Sequence, residues 1–328
     1  MLECKGLEFN LNLIAPTISY SKLSARSKNT ARHFMHPLNI MFSRFSAFYS
    51  PLLATDACGF LAEVGLHANF SVAKSPTDPR SGLKDGSLDL IQSAVSSSWA
   101  LLERGDISDI VHFAQINARD GFFLVSREDA PAFRWNDLSG RKVLVDHGGQ
   151  PLAMFKYACH KMQLGYASID AIDAGDPEEM DAAFRAGSAD FVHLQGPAPQ
   201  QLVHEGYGSI VANVGDAIGP VAFSSLAART TWLETDEAHA FSSAFRKAKK
   251  HVMTAPATEL AAELQHFFPQ IAAAALAQTL QAYQALGCWD EEIVIDRAAY
   301  ATALDVFEYS GLIQQRHPLD KVVVEPPG

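Results

Sequence analysis

The chain has 328 residues, 48% of them hydrophobic, and a formal net charge of −11. That apolar content builds one large core or two medium ones, while the acidic balance argues against nucleic acid or an anionic membrane surface as partner, since both select basic patches. No window approaches the roughly 18 apolar residues of a membrane span. Cys4, Cys58, Cys159 and Cys288 lack the C-x-x-C spacing of a zinc site or a disulfide framework, so they read as free thiols, and no metal or cofactor is expected.

Residues 1–34 lack periodicity and carry Pro16 with several Ser and Arg. They read as a leader, disordered or an over-extended start, with Met35 as the candidate beginning. They show no apolar signal-peptide core and no lipoprotein cysteine, so the chain as written is expected in the cytoplasm. A first strand is expected at 38–42, then a loop and a helix whose early Pro51 suits a first turn. A strand at 69–73 leads to Asp78-Pro79, a helix cap followed by a first-position proline. In Gly86-Ser87-Leu88-Asp89 the glycine ends a helix, where a left-handed residue costs least, and a short apolar run follows. Such a run suits a strand buried on both faces, as parallel sheets require. It opens into Ser93-Ala94-Val95-Ser96-Ser97-Ser98-Trp99, where another helix begins; after a strand at 110–117, residues 122–126 read as a crossing between lobes.

The second half repeats the plan. Asp137-Leu138-Ser139-Gly140-Arg141-Lys142-Val143 turns into a strand, His147-Gly148-Gly149-Gln150-Pro151 leads into a helix over 152–162, and 169–172 is the next strand. Asp176-Pro177-Glu178-Glu179 combines cap, proline and first-turn acids. Gly187-Ser188-Ala189-Asp190 then places glycine, serine and aspartate as in the first copy, before a strand, a helix from Pro199 and a strand at 210–214. Residues 221–227 return the chain, and helices at 235–254, 258–267, 270–286 and 297–310 would cover the first lobe, with a last edge strand at 320–325. Arg246-Lys247-Ala248-Lys249-Lys250 reads as a solvated helix end. The expected class is α/β with two lobes, each a mixed, mostly parallel sheet flanked by helices, and a ligand cleft between them. Lobe 1 comprises 35–121 plus 222–328, lobe 2 is the insertion 127–217, and the crossings fall at 122–126 and 218–224.

These motifs resemble the periplasmic substrate-binding proteins of the nitrate, sulfonate, taurine and thiamine-pyrimidine-precursor group (NMT1/THI5-like, SsuA-like). The resemblance rests on residues 137–143, which match a DLxGKxV segment, on the 187–190 turn, on Leu286-Gly287-Cys288-Trp289 and on Tyr309-Ser310-Gly311-Leu312-Ile313, and it spans 38–324. It implies a type II periplasmic binding protein fold that closes on a small molecule and, in most members, presents it to an ABC permease from the periplasm. The group also contains enzymes. Ser93 and Ser97 stand where its thiamine-pyrimidine synthases carry a lysine and a histidine, their cysteine-rich motif has no counterpart, and Phe45 lies near the place of a desulfinase's nucleophilic cysteine. A solute-binding protein is therefore the preferred reading, with a cytoplasmic enzyme on the same scaffold as the alternative. A ligand-responsive regulator is disfavoured, because no helix-turn-helix segment or basic arm accompanies the fold.

Ligands in open α/β sheets sit at the carboxyl ends of strands, and the candidates follow from that position: Arg44, Phe45, Tyr49, Ser93, Ser96, Ser97, Trp99, His147, Gly149, Gln150, Gln195, Pro197, Phe223 and Ser224. The serine cluster and the Gly148-Gly149 turn would offer helix N–H groups to an oxyanion, or the serines would cap their own helix. Arg44 would pair with a ligand anion, or face solvent or an acid of its own lobe. Phe45, Tyr49 and Trp99 would sandwich a flat ring, or pack beneath the loop, the reading preferred for Phe48. His147 would be the acid or base of an enzyme, but a neutral hydrogen-bonding role is preferred because no Ser, Cys or Asp partner is evident. His193 reads as a satisfied core group. A monomer is expected, binding a small planar or anionic organic molecule (a sulfonate, carboxylate or pyrimidine), with neither nucleic acid nor membrane insertion.

Overall fold

The computed structural model describes residues 35–75 and 77–328, so the leader expected at 1–34 lies outside the described residues. Ten strands form two sheets: β1 His36–Phe42, β2 Leu66–Val72, β3 Leu90–Ser93, β4 Ile110–Asn117, β5 Phe122–Ser126, β6 Lys142–Leu144, β7 Asp170–Ile172, β8 Phe191–Gln195, β9 Ser209–Asn213 and β10 Ser224–Arg229. The first sheet has the order β2-β1-β3-β10-β4 and the second β7-β6-β8-β5-β9. β1 runs parallel to β2 and β3, as β6 does to β7 and β8. One strand in each sheet is antiparallel to both its neighbours: β10 in the first, β5 in the second.

The antiparallel strands are exchanged between halves. β5 follows β4 along the chain yet lies in the second sheet, and β10 follows β9 yet lies in the first. Residues 122–126, read from sequence as a strand suited to crossing between lobes, are a strand inside the second sheet, and the chain reaches it through residues 118–121. Gly121 ends that link because a Cβ there would run into the Phe48 ring.

The repeated Gly-Ser-x-Asp has one physical explanation in both copies. Gly86 (φ 81°) and Gly187 (φ 86°) both take the left-handed conformation that ends a helix cheaply. Ser87 and Ser188 return their hydroxyls to the carbonyls of Gly82 and Ala183. Each aspartate then clamps the next strand: Asp89 Oδ2 accepts from the Asn39 amide at 2.8 Å, and Asp190 Oδ2 from the Lys142 amide at 3.0 Å. The backbone amides of Asp89 and Asp190 donate back to the carbonyls of those same two residues. The motif thus sets the register between a helix end and a parallel strand in each half.

Two expectations for the last third change. Residues 320–325 form a short 3-10 turn, Leu319–Lys321, and a single bridge from Val323 to His112; Pro318, Pro326 and Pro327 bracket a stretch too short to run along β4. The basic run is not wholly solvated, since Lys249 is fully buried. Its ammonium donates to the carbonyls of Gln115 (3.1 Å) and Glu292 (2.5 Å) and pairs with Asp290 at 2.7 Å. Burial pushes its pKa down while Asp290 opposes that shift.

The C-terminal helices do more than cover the first sheet. One apolar core runs from Phe42 and Phe113 of the first sheet to Phe123 and Val143 of the second, and the helix Ala273–Leu286 bolts the halves together. The Tyr283 hydroxyl accepts from the Gly196 amide at 2.9 Å and donates to the Gly121 carbonyl at 3.0 Å, while Thr279 donates to Gln200. Both Tyr283 partners are buried. Tyr283→Phe leaves the Gly196 N–H and the Gly121 C=O without their partner, and urea unfolding should show a loss of about 1–3 kcal/mol. An unchanged urea midpoint would mean that those groups find other partners.

Candidate functional site

Loops at the carboxyl ends of β1, β3, β6 and β8 converge between the two sheets and line a half-open cavity of about 230 Å³. Its polar wall comprises Ser43, Arg44, Gln92, Ser93, Gln150, Gln195 and Ser224, and its apolar wall Tyr49, Ala94, Phe122, Pro151 and Phe223. A larger groove of about 960 Å³ adjoins it, sharing Ser43, Arg44 and Gln195 and reaching past Phe45 and Pro197 to Phe267 and Phe268.

Side chains from the two halves meet across this cavity. Arg44, on the loop after β1, pairs with Asp146, just beyond β6, at 2.5 Å, with side-chain exposures of 32% and 5%. Ser96 donates to Gln150 Oε1 at 2.8 Å, and the Gln150 amide donates in turn to the Phe223 carbonyl at 2.8 Å. Beneath them Ser46 donates to the Gly196 carbonyl at 2.6 Å. The facing loops are therefore in contact beside a cavity that stays open toward the adjoining groove.

Each candidate from the sequence now has a place. Arg44, Tyr49, Ser93, Gln150, Gln195, Phe223 and Ser224 line the cavity. Phe45 and Pro197 line the adjoining groove, where Phe45 packs against Phe267 and Phe268. Ser96 acts through Gln150, and Ser97 accepts a hydrogen bond from Ser93 at 3.0 Å. Neither caps the helix Ser96–Glu103 through its side chain. Gly149 begins the helix that carries Gln150.

Trp99 is not a ligand platform. It is fully buried, its indole N–H donates to the Tyr300 hydroxyl at 2.8 Å, and Tyr300 and Phe307 meet its ring edge-on. His147 lies outside the cavity lining, where an acid or base would have to stand, and its Nδ1–H donates to the Val145 carbonyl at 2.6 Å. His193 is buried, but it is not satisfied. Its ring lies between Phe122 and Phe155, neither nitrogen has a partner among the described residues, and burial holds its pKa down to about 3.

Sequence reading missed Ser43, Gln92, Phe122 and Asp146. Gln92 is the polar residue that interrupts the β3 apolar run, and its Oε1 accepts from the Ser43 amide and hydroxyl. That polar interruption was the available signal. Phe122 looked like ordinary strand core. Tyr49 is 4% exposed, and burial pushes its hydroxyl up to about 12, with Arg44 and Gln195 opposing. It therefore stays a neutral phenol in the wall.

Asp120, in the link before β5, is also fully buried. Its Oδ1 accepts from the Phe122 amide at 2.7 Å and its Oδ2 has no partner among the described residues. Burial raises its pKa to about 8 against that hydrogen bond, with Asp146 adding to the rise. An unfolded aspartate titrates near pH ~3.9, so between the two values the folded chain holds the extra proton. The stability that Asp120 contributes is thus complete below the unfolded value and is lost as pH rises through the folded one. Urea unfolding at about pH 5 and about pH 8 should show a larger decline for the native chain than for Asp120→Asn. Equal declines would mean that Asp120 is already ionised in the fold.

Two α/β lobes with exchanged antiparallel strands and a cleft between them define the type II periplasmic binding protein fold. The chain belongs to the NMT1/THI5 like family, whose model matches residues 47–259. YtlA from Bacillus subtilis (strain 168), by name a binding protein, is 24% identical over 282 residues, which span 85% of this chain and 84% of YtlA. Among solved structures, the periplasmic aliphatic sulphonate binding protein SsuA from Escherichia coli superposes with a TM-score of 0.67 at 16% identity, over 89% of this chain and 92% of its own. The periplasmic nitrate-binding protein NrtA from Synechocystis PCC 6803 does so with a TM-score of 0.63 at 15% identity, over 88% and 86%. Among the described residues, no helix is long and apolar enough to cross a membrane.

Proposed function

We propose that this protein is the solute-binding component of an ABC importer, closing its two lobes over a small polar organic compound. The lobes that move are taken as 35–121 with 222–328, and 127–217. The observation that carries this reading is the cavity between the lobes, walled by polar groups from both sheets and holding one buried acceptor, Gln195 Oε1, without a partner among the described residues. A buried polar atom left unpaired costs about 1–3 kcal/mol, so such an atom in a cavity wall favours a ligand that donates to it. Arg44 brings five N–H donors, one of which engages Asp146, and the others suit an acceptor oxygen of the same ligand. Phe122, Phe223 and Tyr49 supply flat apolar contact.

The ligand class that satisfies these walls carries an oxyanion or carbonyl edge together with an N–H or O–H donor. Amino-sulfonates, amino- or hydroxy-carboxylates and oxo- or amino-pyrimidines all meet that description. The names of SsuA and NrtA record sulphonate and nitrate, both oxygen-bearing anions, which supports the acceptor half. At about 230 Å³ the cavity falls below the usual size of a ligand pocket, so the head group it holds is small. The adjoining groove offers room for a substituent.

Native mass spectrometry and a thermal-shift screen of these three classes test the reading. A ligand at a hundredfold excess over its Kd should add about 2.7 kcal/mol of stability, and Gln195→Met should weaken the best ligand about tenfold by removing its acceptor. A library in which no member shifts the melting temperature would contradict the ligand class. Recovery of a hit in altered chemical form would contradict the binding role.

A further inference from the structure

Away from the cleft, three helices bring a thiol, an imidazole and a carboxylate together. Cys58 follows the helix Ser50–Ala57, His251 lies in the last turn of the helix Asp236–Thr254, and Glu263 lies in the helix Ala257–Leu264. Cys58 donates to Glu263 Oε2 at 3.4 Å, and His251 Nε2 meets that same oxygen at 2.7 Å. All three ligand atoms lie within 4.8 Å of one another. We propose that Cys58, His251 and Glu263 form a three-ligand site for a borderline divalent transition ion, Zn2+ foremost, with a fourth position left for water.

The donor set and the spacing favour that ion. Thiolate, imidazole and carboxylate are the three ligand types that Zn2+ takes, whereas Mg2+ and Ca2+ select oxygen. Tetrahedral zinc with ordinary bond lengths places its ligand atoms about 3.4–3.6 Å apart. The sulfur-to-oxygen distance of 3.4 Å already fits. The His251–Glu263 pair at 2.7 Å needs to part by roughly 0.7 Å, a side-chain adjustment. The Phe60 ring, 5.7 Å away and edge-on, orients the imidazole. Side-chain exposures of 30% for His251 and 37% for Glu263 leave an entry path from solvent.

Without an ion, burial and then Glu263 push the Cys58 thiol up to about 12, so it remains a donor to that carboxylate. A bound cation reverses this logic by replacing the thiol proton, which leaves to solvent as the metal–sulfur bond forms. The site escapes sequence reading because residues 58, 251 and 263 belong to no local spacing motif. Its consequence is structural, since the ion would tie three helices of one lobe together.

Co2+ titration of the purified full chain tests the proposal, because a cobalt–thiolate bond absorbs strongly in the near ultraviolet. The native chain should show that charge-transfer band together with the intense visible bands of low coordination number, and Zn2+ should abolish both. Cys58→Ser should lose the ultraviolet band, and His251→Gln or Glu263→Gln should weaken binding by at least the roughly 10- to 100-fold that outer-shell changes cost elsewhere. Alkylation of the native chain with peptide mapping guards against misfolded variants: Zn2+ should protect Cys58. No band in the native chain, a band surviving in Cys58→Ser, or no protection of Cys58 by Zn2+ would each overturn the assignment.

Discussion

The ion pair between Arg44 and Asp146 is the contact on which the closed arrangement turns. It joins the loop after β1 to the loop after β6, so its two charges belong to different sheets, and its carboxylate is almost wholly buried. A partly buried pair of this kind is less screened than a surface pair, and removing one partner leaves a costly uncompensated charge. Beside it, three neutral hydrogen bonds span the halves here: Ser96 to Gln150, Gln150 to Phe223, and Ser46 to Gly196. Neutral bonds of this sort each contribute about 1 kcal/mol, so removing one member of the charged pair costs more than losing any one of them. The pair also sets what a ligand meets, because Arg44 arrives at the cavity already engaged on one side.

The strand exchange explains how two lobes can share one site without a long linker. Each sheet is completed by an antiparallel strand that the other half delivers, and residues 118–121 provide one of the links. Those links run directly into the site. Phe122 and Phe223–Ser224 stand in the cavity wall at or beside the first residue of β5 and β10. Asp120 sits buried one residue before the contact between Gly121 and Phe48. Phe122 and Phe223–Ser224 therefore stand where the chain passes from one sheet to the other, with Asp120 buried two residues before Phe122.

The sequence made the elements legible and left their partners hidden. Helix starts such as Asp176-Pro177-Glu178-Glu179 and the twin Gly-Ser-x-Asp turns are local signals, and the structure places them as read, with a full capping box at Asp176. Pairing is not local. Nothing in residues 122–126 distinguishes a linking strand from one that inserts between β8 and β9, because both need the same apolar run. The same limit separates the site residues. Loop position identified Arg44, Gln150 and Gln195, whereas Trp99, one turn into its helix, faces the core through a contact with Tyr300 some two hundred residues later in the chain. Lys249 reads as solvated because its acceptors, the carbonyls of Gln115 and Glu292, are likewise distant in sequence.

Small-angle scattering on the native chain and on Asp146→Asn tests the clamp most directly. Asparagine can still accept from the Gly148 amide but turns N–H donors toward Arg44 in place of a charge that attracts it. The account predicts a larger radius of gyration for the variant, which ligand should bring back to the native value. Superimposable scattering curves for the two unliganded proteins would contradict it.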